Sequence, residues 1–77
     1  MNITYAKPAT KALERMDVST RHRMRAAINN LPTGDVKKLQ GYAVAYRLRV
    51  GDYRVLFDMD TQITVTNILP RGEAYKK

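Results

Sequence analysis

Three observations make an α+β fold the prediction for this sequence. Two early stretches place apolar residues at helical spacing, two alternating apolar runs are split by Gly51-Asp52, and a β-branched run fills residues 63–69. In chain order these give an N-terminal strand, an α-helical hairpin and a three-stranded antiparallel meander. The helices are expected to pack on one sheet face and leave the other open.

Met1, Ile3 and Tyr5 alternate with polar residues and predict a short first strand. Pro8 then suits a first helical turn, where its missing N–H is not needed, and Ala9, Ala12, Leu13 and Met16 follow on one face. Asp17-Val18-Ser19 interrupts, with Ser19 read as the N-cap of a second helix. There Met24, Ala27, Ile28 and Leu31 recur at i, i+3, i+4 and i+7, while Arg21, Arg23 and Arg25 take the other face. Pro32 and Gly34 end that helix. Residues 36–41 read as a connection with Leu39 tucked inward. The central hairpin comes next, its Gly-X turn requiring φ > 0 only at Gly51. A turn over Asp58-Met59-Asp60-Thr61 leads into the last strand, which Pro70 closes, and residues 71–77 form a polar tail.

Composition narrows the function. A chain of 77 residues forms one domain, spanning 1–77, near the lower size limit for a self-sufficient core. It has no cysteine, so neither disulfides nor thiolate metal sites stabilise it, and no apolar run has signal-peptide or bilayer-spanning length. A cytoplasmic protein without membrane, metal or cofactor is expected. Fourteen Lys and Arg against seven Asp and Glu leave +7 on a very small body. A polyanionic partner such as nucleic acid, a ribosome or an acidic protein explains that excess better than solubility, which needs less charge.

Conventional catalytic groups are scarce. The sole histidine, His22, sits between Arg21 and Arg23 with no acidic partner at i±3 or i±4, and reads as a surface residue. Asp58 and Asp60 have the spacing of a turn rather than of a cation loop. What remains is cationic. Arg47 and Arg49 oppose Tyr46, Leu48 and Val50 on one strand, with Cα atoms about 6.5–7 Å apart, comparable to successive phosphates of an extended single strand. In the register that Gly51-Asp52 suggests, Arg54 joins them, and Arg71 leaves the end of the last strand, so four guanidiniums share an open face as cations the sheet does not bury. Guanidiniums fork onto phosphate oxygens and stabilise the charge of a pentacoordinate transition state. Tyr75 supplies an aromatic able to stack on a base. Lys37, Lys38, Arg21 and Arg25 are further RNA-binding candidates. A solvated sheet face is the plain alternative.

Lys38-Leu39-Gln40-Gly41, the run Tyr46-Arg47-Leu48-Arg49-Val50-Gly51-Asp52-Tyr53-Arg54-Val55 and the closing Arg71-Gly72-Glu73-Ala74-Tyr75 resemble the RelE branch of the RelE/ParE toxin superfamily. The resemblance spans nearly the whole chain and is most specific in the hairpin. It implies a compact antiparallel sheet on two helices, similar to microbial ribonucleases. It also implies the toxin of a type II toxin–antitoxin system, a metal-independent endoribonuclease that enters the ribosomal A site and cuts mRNA by 2′-OH attack on the adjacent phosphate. A cognate antitoxin, the ribosome and mRNA are the implied partners. By resemblance Arg47 and Arg49 stand where some members carry lysines for proton transfer and charge stabilisation, Arg54 matches an arginine on the scissile phosphate, and Arg71 and Tyr75 match the terminal arginine and aromatic. Two departures stand out: both lysine positions are arginine, and Pro70 replaces a histidine found in several relatives. An arginine is a poor base, so proton transfer is left to Tyr75, water or ribosomal RNA. A ParE-like toxin acting on DNA gyrase and a non-catalytic basic nucleic-acid-binding module are the competing readings.

Overall fold

The computed structural model describes residues 2–41 and 45–70, which run β1 (Ile3–Tyr5), α1 (Lys7–Glu14), α2 (Val18–Asn29), β2 (Val36–Lys38), β3 (Ala45–Val50), β4 (Tyr53–Met59) and β5 (Ile63–Pro70). The strands form one sheet in the order β1-β5-β4-β3-β2. The meander of β3, β4 and β5 is antiparallel as expected, and it gains a strand at each edge. Val36–Lys38, read from sequence as a connection, is β2 and pairs antiparallel with β3, while β1 pairs parallel with β5. The sheet is therefore mixed. A parallel pair needs a long crossover, and the helical hairpin between β1 and the meander supplies it.

Alternation decides which side of the sheet is apolar. Tyr46, Leu48 and Val50 lie opposite Phe57, Val55 and Tyr53, and Ile68 and Val65 continue those rows on β5. This face meets Ala9, Leu13 and Met16 from the first helical segment and Met24, Ile28 and Leu31 from the second in a single core. Phe57, at its centre, stacks on Tyr46 with ring centroids 5.5 Å apart. A register shift at Leu56/Phe57 marks a β-bulge, where the Thr66 hydroxyl donates to the Leu56 carbonyl at 3.0 Å. Among the described residues no helix is long and apolar enough to cross a membrane.

Local chemistry sets the helix ends. The N-cap of α2 is Asp17, not Ser19: its carboxylate accepts the Thr20 N–H at 3.1 Å and the Thr20 hydroxyl at 2.6 Å. Ser19 lies inside the helix instead. Arg21 ties the two helices together, donating Nε to the Leu13 carbonyl at 3.0 Å and Nη2 to the Met16 carbonyl at 2.9 Å. Leu13 lies in the last turn of α1 and Met16 in the link to α2, so the guanidinium braces the end of one helix and the turn into the next; the Leu13 carbonyl also accepts the Met16 N–H at 3.1 Å. The second predicted turn also moves. Asp58 and Met59 belong to β4, since Asp58 pairs with Thr64 and Met59 with Ile63, and the chain reverses over residues 60–62.

Candidate functional site

The hairpin turn fixes the site. Val50 pairs with Tyr53 across Gly51-Asp52, and among the described residues positive φ occurs only at glycines, including Gly51 at +57°, as a two-residue turn with one left-handed position requires. This register puts Arg49 directly opposite Arg54 and Arg47 opposite Leu56. The three arginines accordingly share the face away from the helices. Lys37 joins them, because β2 sets it opposite Arg47.

Their surroundings differ. Arg54 sits on the central strand between Arg49 and Leu69 and is only 8% exposed. Its Nε is buried and makes no hydrogen bond among the described residues. Leaving such a donor unmet costs about 1–3 kcal/mol, and like charges directly across a ladder add a further penalty. Arg49 is half exposed. Together with Gly51 and Asp52, the two arginines line an open cleft of about 200 Å³.

Arg47 has a different environment. It is 6% exposed, and its Nη1 lies 3.2 Å from the Asp35 carbonyl and 3.5 Å from the Asp35 carboxylate. The expectation of cations the sheet does not bury is thus corrected for two of the three arginines. Central placement buries Arg54, and Asp35 provides Arg47 with a counter-charge. Asp35 also reaches Arg49: its carbonyl accepts the Arg49 N–H at 3.0 Å, and its Oδ2 lies 3.9 Å from Arg49 Nε. Gly34 holds this residue against the sheet with φ at +123°, where an added Cβ would stand 3.0 Å from the Leu48 side chain. Asp35 was missed in the sequence. One signal for it existed, as it is the only acid between Asp17 and Asp52 in a basic stretch.

The remaining candidates do not gather at the cleft. Lys38 pairs with Tyr46 and so alternates to the opposite face from Lys37. Arg21 is occupied with the end of α1, and Arg25 lies over the Tyr5 ring, 5.6 Å from its centroid. Burial pushes the Tyr5 phenol upward in pKa, and the Arg25 charge pulls it partly back. Both arginines belong to the helical layer, across the sheet from the cleft. Arg71 and Tyr75 lie outside the described residues. His22 is exposed, and among the described residues no group of three or more metal-ligating side chains comes together. The cleft therefore presents adjacent guanidiniums to one anion, while the buried Arg54 Nε makes no hydrogen bond among the described residues.

No protein-family model matches this sequence, and no curated protein matches it. Solved structures do. The RelE chain of the RelB–RelE antitoxin–toxin complex from Methanococcus jannaschii superposes with a TM-score of 0.77 at 30% identity, over 94% of each chain. The archaeal RelE–RelB complex from Pyrococcus horikoshii gives 0.75 at 28% identity, over 94% of this chain and 96% of that one. The isolated RelE toxin of E. coli shares the fold, with a TM-score of 0.71 at 15% identity over 96% and 89%.

Proposed function

From the premise that this chain belongs to the RelE family of toxins, we propose that it is the toxin of a toxin–antitoxin pair and cuts mRNA in the ribosomal A site. The observation that supports this most is the in-register pair Arg49 and Arg54, with the buried Arg54 Nε unmet beside an open cleft. Like charges directly opposite destabilise a sheet, and a bound anion would offset that repulsion. A phosphodiester is an anion of the right chemistry, and its pentacoordinate transition state carries more negative charge than its ground state. Fixed guanidinium donors stabilise the transition state preferentially and speed the chemical step.

In the reaction, a ribose 2′-OH attacks the adjacent phosphorus and the bond to the next nucleotide's 5′-oxygen breaks. The products are a 2′,3′-cyclic phosphate and a 5′-OH. The 2′-OH proton must leave and the departing oxygen must gain one. Guanidiniums do neither efficiently, so Arg49 and Arg54 hold the phosphate while Tyr75, water or ribosomal RNA moves protons. Arg71 completes the anion grip in this proposal. Activity on free RNA is expected to be weak, because the ribosome supplies the strained mRNA conformation. RelB antitoxins accompany the two archaeal RelE chains, and a cognate antitoxin carrying acidic residues is the corresponding partner here.

The test is primer extension on mRNA during translation with added protein. Codon-positioned cuts are expected, and Arg49→Ala or Arg54→Ala should slow them by about a hundredfold or more, the loss typical of removing one transition-state donor. Uncut mRNA together with stalled supercoiling by gyrase would overturn the reading.

A further inference from the structure

We propose that Asp35 is a positioning residue for the arginine cleft: it holds Arg47 as a fixed strut and aims Arg49 at the substrate phosphate. The inference rests on the ribonuclease reading above and adds to it a residue that never touches RNA.

Four contacts converge on Asp35. Its main-chain carbonyl accepts from the Arg49 N–H at 3.0 Å and from Arg47 Nη1 at 3.2 Å. Its carboxylate lies 3.5 Å from Arg47 Nη1 and 3.9 Å from Arg49 Nε. The backbone bonds fix where the carboxylate stands, and the carboxylate then acts on two side chains. Arg47, almost wholly buried on its strand, loses the freedom to reach a ligand. Arg49 keeps half its surface exposed and lines the cleft, with Nε turned toward Asp35. At 3.9 Å the contact is an ion pair rather than a hydrogen bond, and the fixed carboxylate charge biases the exposed Arg49 guanidinium toward a narrower range of directions, which favours a geometry matched to a transition state over many loose ground-state contacts.

The assignment divides the arginines. Arg49 and Arg54 hold the anion, whereas Arg47 and Asp35 form the frame behind them. It also predicts an unusual split between binding and catalysis. Removing a carboxylate next to two guanidiniums makes the face more positive, so polyanions should bind at least as well. Removing the anchor leaves Arg49 less well aimed, and the cutting step should slow. A purely structural contribution would instead weaken binding and cutting in parallel with the melting temperature.

Asp35→Asn tests this while retaining the carbonyl contacts. On translating ribosomes programmed with mRNA, the single-turnover cutting rate is expected to fall about tenfold while the concentration giving half-maximal rate is unchanged or lower. For a short single-stranded RNA, the plot of log affinity against log salt should steepen by up to about 0.7, the increment for one added effective cation. Asp35→Glu restores the charge one methylene away and should recover most of the rate. Full cutting by Asp35→Asn, or an Asp35→Glu variant as slow as Asp35→Asn, overturns the proposal alone. Absence of cutting by the unaltered chain overturns the ribonuclease reading and this inference with it.

Discussion

Arg54 is the residue whose placement is hardest to justify by folding alone. It lies on the central strand, opposite another arginine, with its Nε buried and unmet among the described residues. Each of these opposes stability, and none is relieved by the Asp35 carboxylate, whose ion pairs go to Arg47 and Arg49. Met at this position would keep much of the aliphatic volume without the charge or the open donor. Arg54→Met is therefore expected to stabilise the isolated protein by about 1 kcal/mol, or 4–8 °C in melting temperature for a domain this small, while abolishing mRNA cutting. Calorimetry beside primer extension checks both halves, and a lower melting temperature would show that Arg54 has a native partner in the free protein. Alternation in the sequence was enough to put Arg47, Arg49 and Arg54 on one face. Their burial was not legible there, because it depends on Asp35 twelve positions before Arg47 and on β4 being the middle strand.

At the scale of elements, legibility follows the length of the periodic pattern. The two helices and the β3–β4 hairpin carry several turns or alternations and were readable, Gly51 included. β2 offers only Val36 as an apolar signal in three residues, and its assignment comes from pairing with β3. The parallel partner of β1 lies sixty positions away, beyond any local pattern. The start of α2 was misread by two residues because Asp17 and Ser19 are both good caps, and only geometry selects the one that reaches Thr20. Hydrogen bonds from the Thr20 hydroxyl and N–H hold the Asp17 carboxyl below the ordinary aspartate pKa. A carboxylate with a lowered folded pKa adds stability above its unfolded value, about 4, and loses it as pH falls through the folded value. Asp17→Ala should thus melt below the unaltered protein at neutral pH, and the gap should close on acidification past pH 4. A gap independent of pH, followed by circular dichroism, would mean that the cap does not act through the carboxylate.

For the molecule as a whole, charge governs two quantities in opposite directions. The chain carries seven excess positive charges, and the Cα radius of gyration of its described residues is 11.5 Å, close to the screening length of about 10 Å at 0.1 M salt. Below that concentration the cations repel across the whole molecule, so added salt should raise the melting temperature of the free protein. The same ions compete with RNA. If Lys37, Arg49, Arg54 and Arg71 engage phosphates while Asp35 holds Arg47, four contacts give a slope near −3 in log affinity against log salt, or about a fiftyfold loss between 50 and 200 mM. Melting curves and RNA titrations over one salt series should therefore move in opposite directions. A slope much steeper than −3 would bring in cations beyond these four, with the arginines of α2 the first to substitute. A melting temperature that falls with salt would mean that ion pairs, not repulsion, dominate the free protein, and that the excess charge is already offset before any polyanion arrives.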